Sequence, residues 1–528
     1  VVQLVVDGRP VEVPDDGSSL LEVLRDRLGL RTAKDGCSPQ GQCGCCTVWI
    51  DGAPRVACVT PVRRVGGRSV TTLEGLEPAC RRTWVEAFSA TGASQCGFCT
   101  PGIVMRLAAL RGRADEPLAE ESIGRGLAAH LCRCTGWRTI FDAARLVDGG
   151  DGGDRGGAPV RDLTAAARRA ALEGGNQQTA GPSVPSGEGG FSDDTAPADA
   201  LVAVPNPEGG WAVGETLREA RSAAGKVQGR RSPAQLNHPL EVPPGPWSLT
   251  LRTTWVEPAY LETDASWCRP GGEPATPLAN GGAFGGKVAS PAPDAARRLA
   301  DEHGRPVRVL LSREDTVRLG PKRPPVAAGI GRDGTGVMRV VRTPGVADAI
   351  LSVAPGLTVE ELDVAGPPTS SAIRGAGWVE AAVLLAVLAR LEHDADTSHP
   401  ARPVRVELPT GAAAEASLAS DGQVDIQVSC GPPLDEVVLR SYCTGAAHMA
   451  LSWVRSEGLA VDEDGQPQDL TIRSFGILAA RDTPPIDVAI VPGEGPPVNG
   501  SDAVFAAVAA AAWMSDGLPQ DWPTKLSS

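Results

Sequence analysis

Eight cysteines in two sets are the residues of this chain best suited to chemistry. Cys37, Cys43, Cys46 and Cys58 follow one another at gaps of five, two and eleven residues. Cys96, Cys99, Cys132 and Cys134 form two tight pairs, Q95-C-G-F-C99 and C132-R-C134. Thiolates are soft ligands that hold zinc or iron, and spacing decides between the two. In the first set, three ligands wrap around one loop and the fourth arrives at the end of a hairpin strand. That is one residue away from the C-x4-C-x2-C run, with a distant fourth cysteine, that encloses a [2Fe–2S] centre. Gly36, Gly41 and Gly44 let the backbone come close enough to turn N–H groups toward sulfide. Cys45 is then a bystander. In the second set, Cys99 stands just before a helix N-terminus, where the dipole favours a thiolate, and Cys132 and Cys134 come from the end of another helix. A structural zinc site is the alternative for this set, but such sites usually place two or more residues between paired cysteines, against the single Arg133 here. Cys80, Cys268, Cys430 and Cys443 stand alone, and each reads as a small buried hydrophobe.

These sulfurs need elements to position them. Residues 1–76 alternate as strands, V1-V-Q-L-V-V6 and V11-E-V13 around an Asp7-Gly8 turn, then T47-V-W-I50 and R55-V-A-C-V59 around Asp51-Gly52. Between them Ser18 or Ser19 can cap a helix whose Leu20, Leu21, Leu24 and Leu28 share one face before Gly29. Residues 77–147 read as four helices, over 83–90, after Thr100-Pro101, over 122–131 and over 137–147. The tract D148-G-G-D-G-G-D-R-G-G157 reads as a flexible linker, and the polar, Gly/Pro/Ser-rich composition carries the linker to residue 198, interrupted by a helix over 164–173. Residues 199–528 mix short strands such as V307-R-V-L-L311 and V424-D-I-Q-V428 with helices over 379–391 and 435–455. The fold class expected is α+β.

Composition narrows the function. Fifty basic against 64 acidic side chains give a net charge of −14, so the long-range field repels nucleic acid and anionic membranes. The longest apolar runs, A381-A-V-L-L-A-V-L-A389 and A503-V-F-A-A-V-A-A-A-A-W-M514, fall short of the roughly 18 residues that span a bilayer. The first residues open into a strand rather than a signal peptide, and cysteines concentrate locally, with ten of thirteen before residue 135. The compartment expected is the cytoplasm.

With these residues in view, the loop from Gly36 to Val48, the A-C-V-T-P segment around Cys58, Q95-C-G-F-C-T-P-G102 and L131-C-R-C-T-G136 resemble the iron–sulfur region of the xanthine dehydrogenase and aldehyde oxidase family of molybdenum hydroxylases. The resemblance covers residues 1–147. It implies a ferredoxin-like β-grasp domain and a four-helix bundle, each with one [2Fe–2S] cluster, and a Gln95 that touches the pterin of a molybdenum cofactor. The departures are the five-residue gap after Cys37 and His130 where Asn is usual.

Later segments resemble the molybdopterin-binding domain of the same family: Y260-L-E-T263, G281-G-A-F-G-G-K287, R305-P-V-R308, S312-R-E-D315 and S370-S-A-I-R-G-A-G377. The resemblance implies Phe284 and Arg374 as cofactor-binding residues. The run ending at Lys287 is not a phosphate loop, because Val288 follows where Ser or Thr would bind magnesium; as a plain glycine-rich turn it would need no ligand. Several family features are missing. Val256 replaces the cofactor-binding Gln, Ala376 replaces an aromatic, and Gly495 takes the place of the general base in G493-E-G-P-P497. Glu494 is the atypical candidate base, one residue out of step, where a slip on an extended loop turns a side chain the other way.

By resemblance, the reaction is hydroxylation of a carbon centre with oxygen from water. Electrons pass from molybdopterin through two clusters to FAD. The reading is an electron-transfer subunit with an abbreviated molybdopterin-binding-like domain, whose partner subunits supply the complete molybdopterin site and the FAD. The alternatives are a self-contained hydroxylase with Glu494 as base, or a C-terminal region that serves only as a docking scaffold.

Overall fold

The computed structural model describes residues 1–37, 39–149, 161–225, 235–278, 280–394 and 403–525. The first unit is a five-stranded mixed sheet in the order Arg9–Val13, Val2–Val6, Ser69–Thr71, Thr47–Ile50, Ala53–Val56. Period-two alternation turns Val2, Leu4 and Val6 inward. A short helix, Leu20–Glu22, continues as a wider turn over Val23–Arg27 and packs on this face. Its start is fixed by a capping box, with the Ser19 N–H donating to Glu22 at 2.7 Å and the Glu22 N–H to Ser19 Oγ at 3.2 Å.

Four helices follow, Pro78–Thr91, Thr100–Arg111, Glu120–Gly126 and Arg138–Asp148. Trp84, Phe88, Trp137 and Phe141 fill the space between them. The third helix is shorter than the expected 122–131. Beyond Gly126 the chain leaves the helical ladder because the Leu131 N–H donates to Cys43 O at 3.0 Å, across to the first unit.

The expected linker is only partly described, since residues 150–160 lie outside the described residues. Residues 161–197 are tied down at many points. The helix Leu163–Gly174 is capped by Asp162 and lies on the helix Glu436–Arg455. Arg169 and Glu173 on that helix are buried and paired at 2.9 Å, and Glu173 also accepts from the N–H groups of Gly500 and Ser501 at 3.1 and 2.9 Å. Asp193 and Asp194 pair with the buried Arg25 at 2.6 and 2.8 Å, and Lys34 also holds Asp194. Composition misleads here because the stretch is held by opposite charges supplied from distant sequence, which no local pattern displays.

The remainder is α+β, as expected. It has a four-stranded sheet (Trp211–Gly214, Leu201–Pro205, Val307–Leu310, Ala265–Cys268), a five-stranded sheet (Leu357–Leu362, Gly336–Val341, Val326–Ile330, Leu249–Thr253, Asp521–Trp522) and a second four-stranded sheet (Val404–Glu407, Ala413–Leu418, Val424–Ser429, Ile486–Ile490). Helices Trp378–Asp394, Glu436–Arg455 and Ser501–Ser515 share one core with the last two sheets. None of the helices described is long and apolar enough to cross a membrane.

One buried group in that core sets a pH dependence. His448 is fully buried, shares a hydrogen bond of 3.1 Å with Leu478 O, and is drawn down to about 4 by desolvation. Between its ordinary value near 6.5 and about 4, the unfolded chain takes up a proton that the folded chain refuses. The stabilisation is therefore complete above about 6.5 and falls by on the order of 3 kcal/mol as pH drops toward 4. Urea unfolding followed across this window should show the slope, and His448→Asn should flatten it.

Candidate iron–sulfur sites

The first set of sulfurs sits in the loop leading into Thr47–Ile50 and at the turn after Ala53–Val56. Cys37, Cys43, Cys46 and Cys58 are all buried. The Cys37 sulfur accepts from the Cys43 and Cys58 thiols, which pull it down to about 2, and Cys58 also engages Cys46. Backbone N–H groups point inward as well, Gln42 N–H to Cys37 Sγ and Cys58 N–H to Cys46 Sγ, each at 3.4 Å. Gly36 has to be small: a Cβ there would lie 3.2 Å from Cys43 Sγ and 3.1 Å from Leu261 O. Cys45 is buried too, with its thiol turned toward Cys43.

The second set comes from two turns that face each other. Cys99 is the N-cap of Thr100–Arg111, so the helix starts one residue earlier than a Thr100 cap with Pro101 at the first helical position would place it. Cys96 and Cys134 bring their sulfurs to 3.6 Å. Cys99 donates to Cys132, and with Thr135 Oγ1 at 3.1 Å this draws Cys132 down to about 6.

The thiols thus gather in two groups: Cys37 with Cys43 and Cys58, and Cys58 also with Cys46, in the first; Cys96 with Cys134 and Cys99 with Cys132 in the second. Two thiolates on each of two irons is the donor arrangement of a [2Fe–2S] centre, and buried N–H···S contacts suit the negative charge such a centre carries. The residues fit that group at both places.

The two sites meet at one joint. The Cys43 carbonyl accepts from the Leu131 N–H, one residue before Cys132. His130 covers the joint, its ring so close to Gly44 that a Cβ there would lie 2.5 Å from it. His130 Nε2 shares a hydrogen bond of 3.2 Å with Thr47 Oγ1, and burial draws the imidazole down to about 3, which keeps it neutral. His130 thus does the packing and hydrogen bonding of an uncharged side chain.

The expected cofactor residues beyond the sulfurs are arranged differently. Gln95 Nε2 donates to Cys134 O at 2.9 Å and to Ser441 Oγ at 3.0 Å, so the helix Glu436–Arg455 closes over the second site. Phe284, at a φ of 48°, and Arg374 line one cavity of about 30 Å³. Arg374 Nε donates to Asp502 at 2.8 Å, and its guanidinium lies 5.5 Å from the Phe284 ring. Arg323–Glu380 at 3.3 Å, Lys322–Glu257 at 2.9 Å and Arg133–Glu457 at 2.5 Å crowd the same space. Beside Cys96, Cys99 and Cys134, the cavity bordered by Gly281, Gly282 and Lys287 holds about 10 Å³. Cavities of this size take a water molecule or two, whereas organic cofactors occupy about 300 Å³ or more. A pterin does not fit among these side chains as they stand. Glu494 is exposed and does not line either cavity. Glu494→Gln is therefore expected to leave iron content and urea stability unchanged, checked by metal analysis and unfolding.

Sequence reasoning missed Glu457, the buried partner of Arg133, and Arg313, which reaches the first site. Both are long-range partners that no spacing announces.

The comparisons with known proteins fall on the same residues. A family described as a [2Fe-2S] binding domain matches residues 72–145. The chain is 40% identical over 146 residues to the xanthine dehydrogenase iron-sulfur-binding subunit of Escherichia coli O157:H7, covering 27% of this chain and 89% of that protein. It is 37% identical over 136 residues to the nicotinate dehydrogenase small FeS subunit of Eubacterium barkeri, covering 26% and 85%. The fold is similar to the crystal structure of the aldehyde oxidoreductase from Desulfovibrio desulfuricans, with a TM-score of 0.70, 15% identity and 99% of each chain covered. Paired thiols in two buried sites, and a first quarter that nearly spans such subunits, lead to one conclusion: the chain belongs to the molybdenum hydroxylase family of xanthine dehydrogenase-like oxidoreductases.

Proposed function

We propose that this chain is the iron–sulfur electron-transfer component of a xanthine dehydrogenase-like molybdenum hydroxylase, relaying electrons from a molybdopterin centre on one partner toward FAD on another. Cys37, Cys43, Cys46 and Cys58 hold one [2Fe–2S] cluster, and Cys96, Cys99, Cys132 and Cys134 the other. When bound, each centre supplies a store for one electron. The observation that carries the reading is the joint between the sites, where the Leu131 N–H and the Cys43 carbonyl bring a ligand loop of each into hydrogen-bond contact at 3.0 Å. The chain's residues keep both sites dry, supply N–H donors to sulfur, and fix the distance between them.

The region from 199 onward acts as a non-catalytic shell and docking scaffold. The filled cavities around Phe284 and Arg374 and the exposed Glu494 favour this over a self-contained hydroxylase. The test is to assay iron, molybdenum and flavin together, in the native complex and in the isolated chain. About four irons per chain, two paramagnetic signals on reduction, and molybdenum and flavin confined to the partners are expected. Zinc in place of iron, or a single signal in a fully loaded sample, would overturn the relay; molybdenum equimolar with the isolated chain would overturn the shell.

A further inference from the structure

Buried cations in this fold come with carboxylates. Arg133 has Glu457, Arg323 has Glu380, Lys322 has Glu257, Lys287 has Glu262 and Arg169 has Glu173. Arg313 breaks the pattern. It opens the helix Arg313–Leu319 and is wholly buried, at 0% exposure. One Nη donates to three carbonyls, Gly36 O at 2.9 Å, Tyr260 O at 2.7 Å and Leu261 O at 2.9 Å. Its Nε and other Nη have no hydrogen-bond partner, and among the described residues no carboxylate pairs with it. The adjacent Glu314 is near enough to feel the charge, but its carboxylate accepts from Gln40 at 3.0 Å and forms no ion pair with Arg313. The guanidinium also lies 5.9 Å from the Tyr260 ring, a weak interaction beside the loss of hydration.

A buried guanidinium with two unmet donor groups and no ion pair, with only the Gln40-bound carboxylate of Glu314 near enough to act on it, is costly for a folded chain to hold. It persists where an anion compensates it. Gly36 immediately precedes Cys37, so Arg313 is anchored one residue from a sulfur of the first site. Four thiolates and two sulfides on two ferric ions make a dianion, which becomes a trianion when it takes up one electron, with no bond broken. A nearby cation in a medium of low dielectric stabilises the trianion more than the dianion.

We propose that Arg313 is the buried counter-cation of the first site and raises the reduction potential of the centre held by Cys37, Cys43, Cys46 and Cys58. The inference rests on the two-cluster relay above. Two of the carbonyls that hold Arg313, those of Tyr260 and Leu261, belong to residues that also border the second site, so a smaller effect is expected there. Arg313 is a positioning residue in this sense; it touches the ligand loop and not the sulfurs.

The experiment is a redox titration of the full iron-loaded chain, followed by the paramagnetic signals of the two centres, in wild type, Arg313→Gln and Arg313→Lys. Gln keeps N–H donors for the carbonyls and removes the charge, while Lys keeps the charge and loses the fork. Arg313→Gln should move the first midpoint to lower potential and the second by less, and Arg313→Lys should leave both close to wild type. A first midpoint unmoved in Arg313→Gln, or lowered equally in both variants, would overturn the proposal. If Arg313→Gln takes up no iron while Arg313→Lys loads and keeps its potential, the need for charge is supported; if neither loads, the residue serves folding alone and the proposal falls. Absence of both signals in the wild type would instead refute the relay itself.

Discussion

Alanine at both Cys43 and Cys132 will strip the chain of its about four irons and silence both paramagnetic signals, whereas either change alone will remove about half of each. The pairing of sulfurs requires this outcome. Cys43 stands opposite Cys37, and Cys132 opposite Cys99, so each substitution leaves one iron with a single thiolate. In the proposed ligand sets each site has its own four cysteines, so the loss is not expected to spread. Iron analysis and low-temperature resonance of the reduced chain read the result directly. A double variant that keeps one intact signal would mean that the ligand sets are drawn wrongly, with Cys45, turned toward Cys43, as the first suspect.

Glu457→Gln will destabilise the chain by about 3–5 kcal/mol, the usual result of removing one partner of a buried ion pair. Arg133 projects from between two cysteines of the second site, and its side chain is 7% exposed against 1% for Glu457. The pair is bidentate, with the second bond at 2.8 Å, and Arg133 Nε also donates to Pro258 O at 3.1 Å. Gln keeps the shape and leaves the guanidinium without its charge, so the cost falls on the turn that carries Cys132 and Cys134. Urea unfolding will show the loss, and iron will leave the second site before the first. Replacing both partners with apolar residues of similar volume should recover much of the stability, because the desolvation of two charges then disappears as well.

That the eight cysteines would come together in two buried groups was legible in the sequence because they cluster on one short loop and three turns, so that spacing encodes geometry directly. Strand alternation in Val2–Val6 and the helical stripe after Ser19 were legible for the same local reason. The helix expected over 122–131 was drawn too long, since its end is set by a hydrogen bond to Cys43, some ninety residues earlier in the chain. The stretch 161–197 resisted reading because its order comes from Arg25, Lys34, Pro432 and Pro433, all distant in sequence. Glu494 shows the limit of motif reasoning: the residues around it are retained, but the side chain ends in solvent. Phe284 and Arg374 do share a cavity, but it holds only about 30 Å³ and is also lined by the paired Arg133 and Glu457.

The helix Glu436–Arg455 reaches Gln95 through Ser441 and packs so closely on the turn after Cys132 that a Cβ at Gly445 would sit 1.7 Å from Cys134 O. Synthesis from the ribosome runs in one direction, so the cysteines emerge about 300 residues before their lid. Metal delivery therefore has a window that opens when residue 134 clears the exit tunnel and shuts when the lid docks, and slowing translation across the interval should favour complete loading.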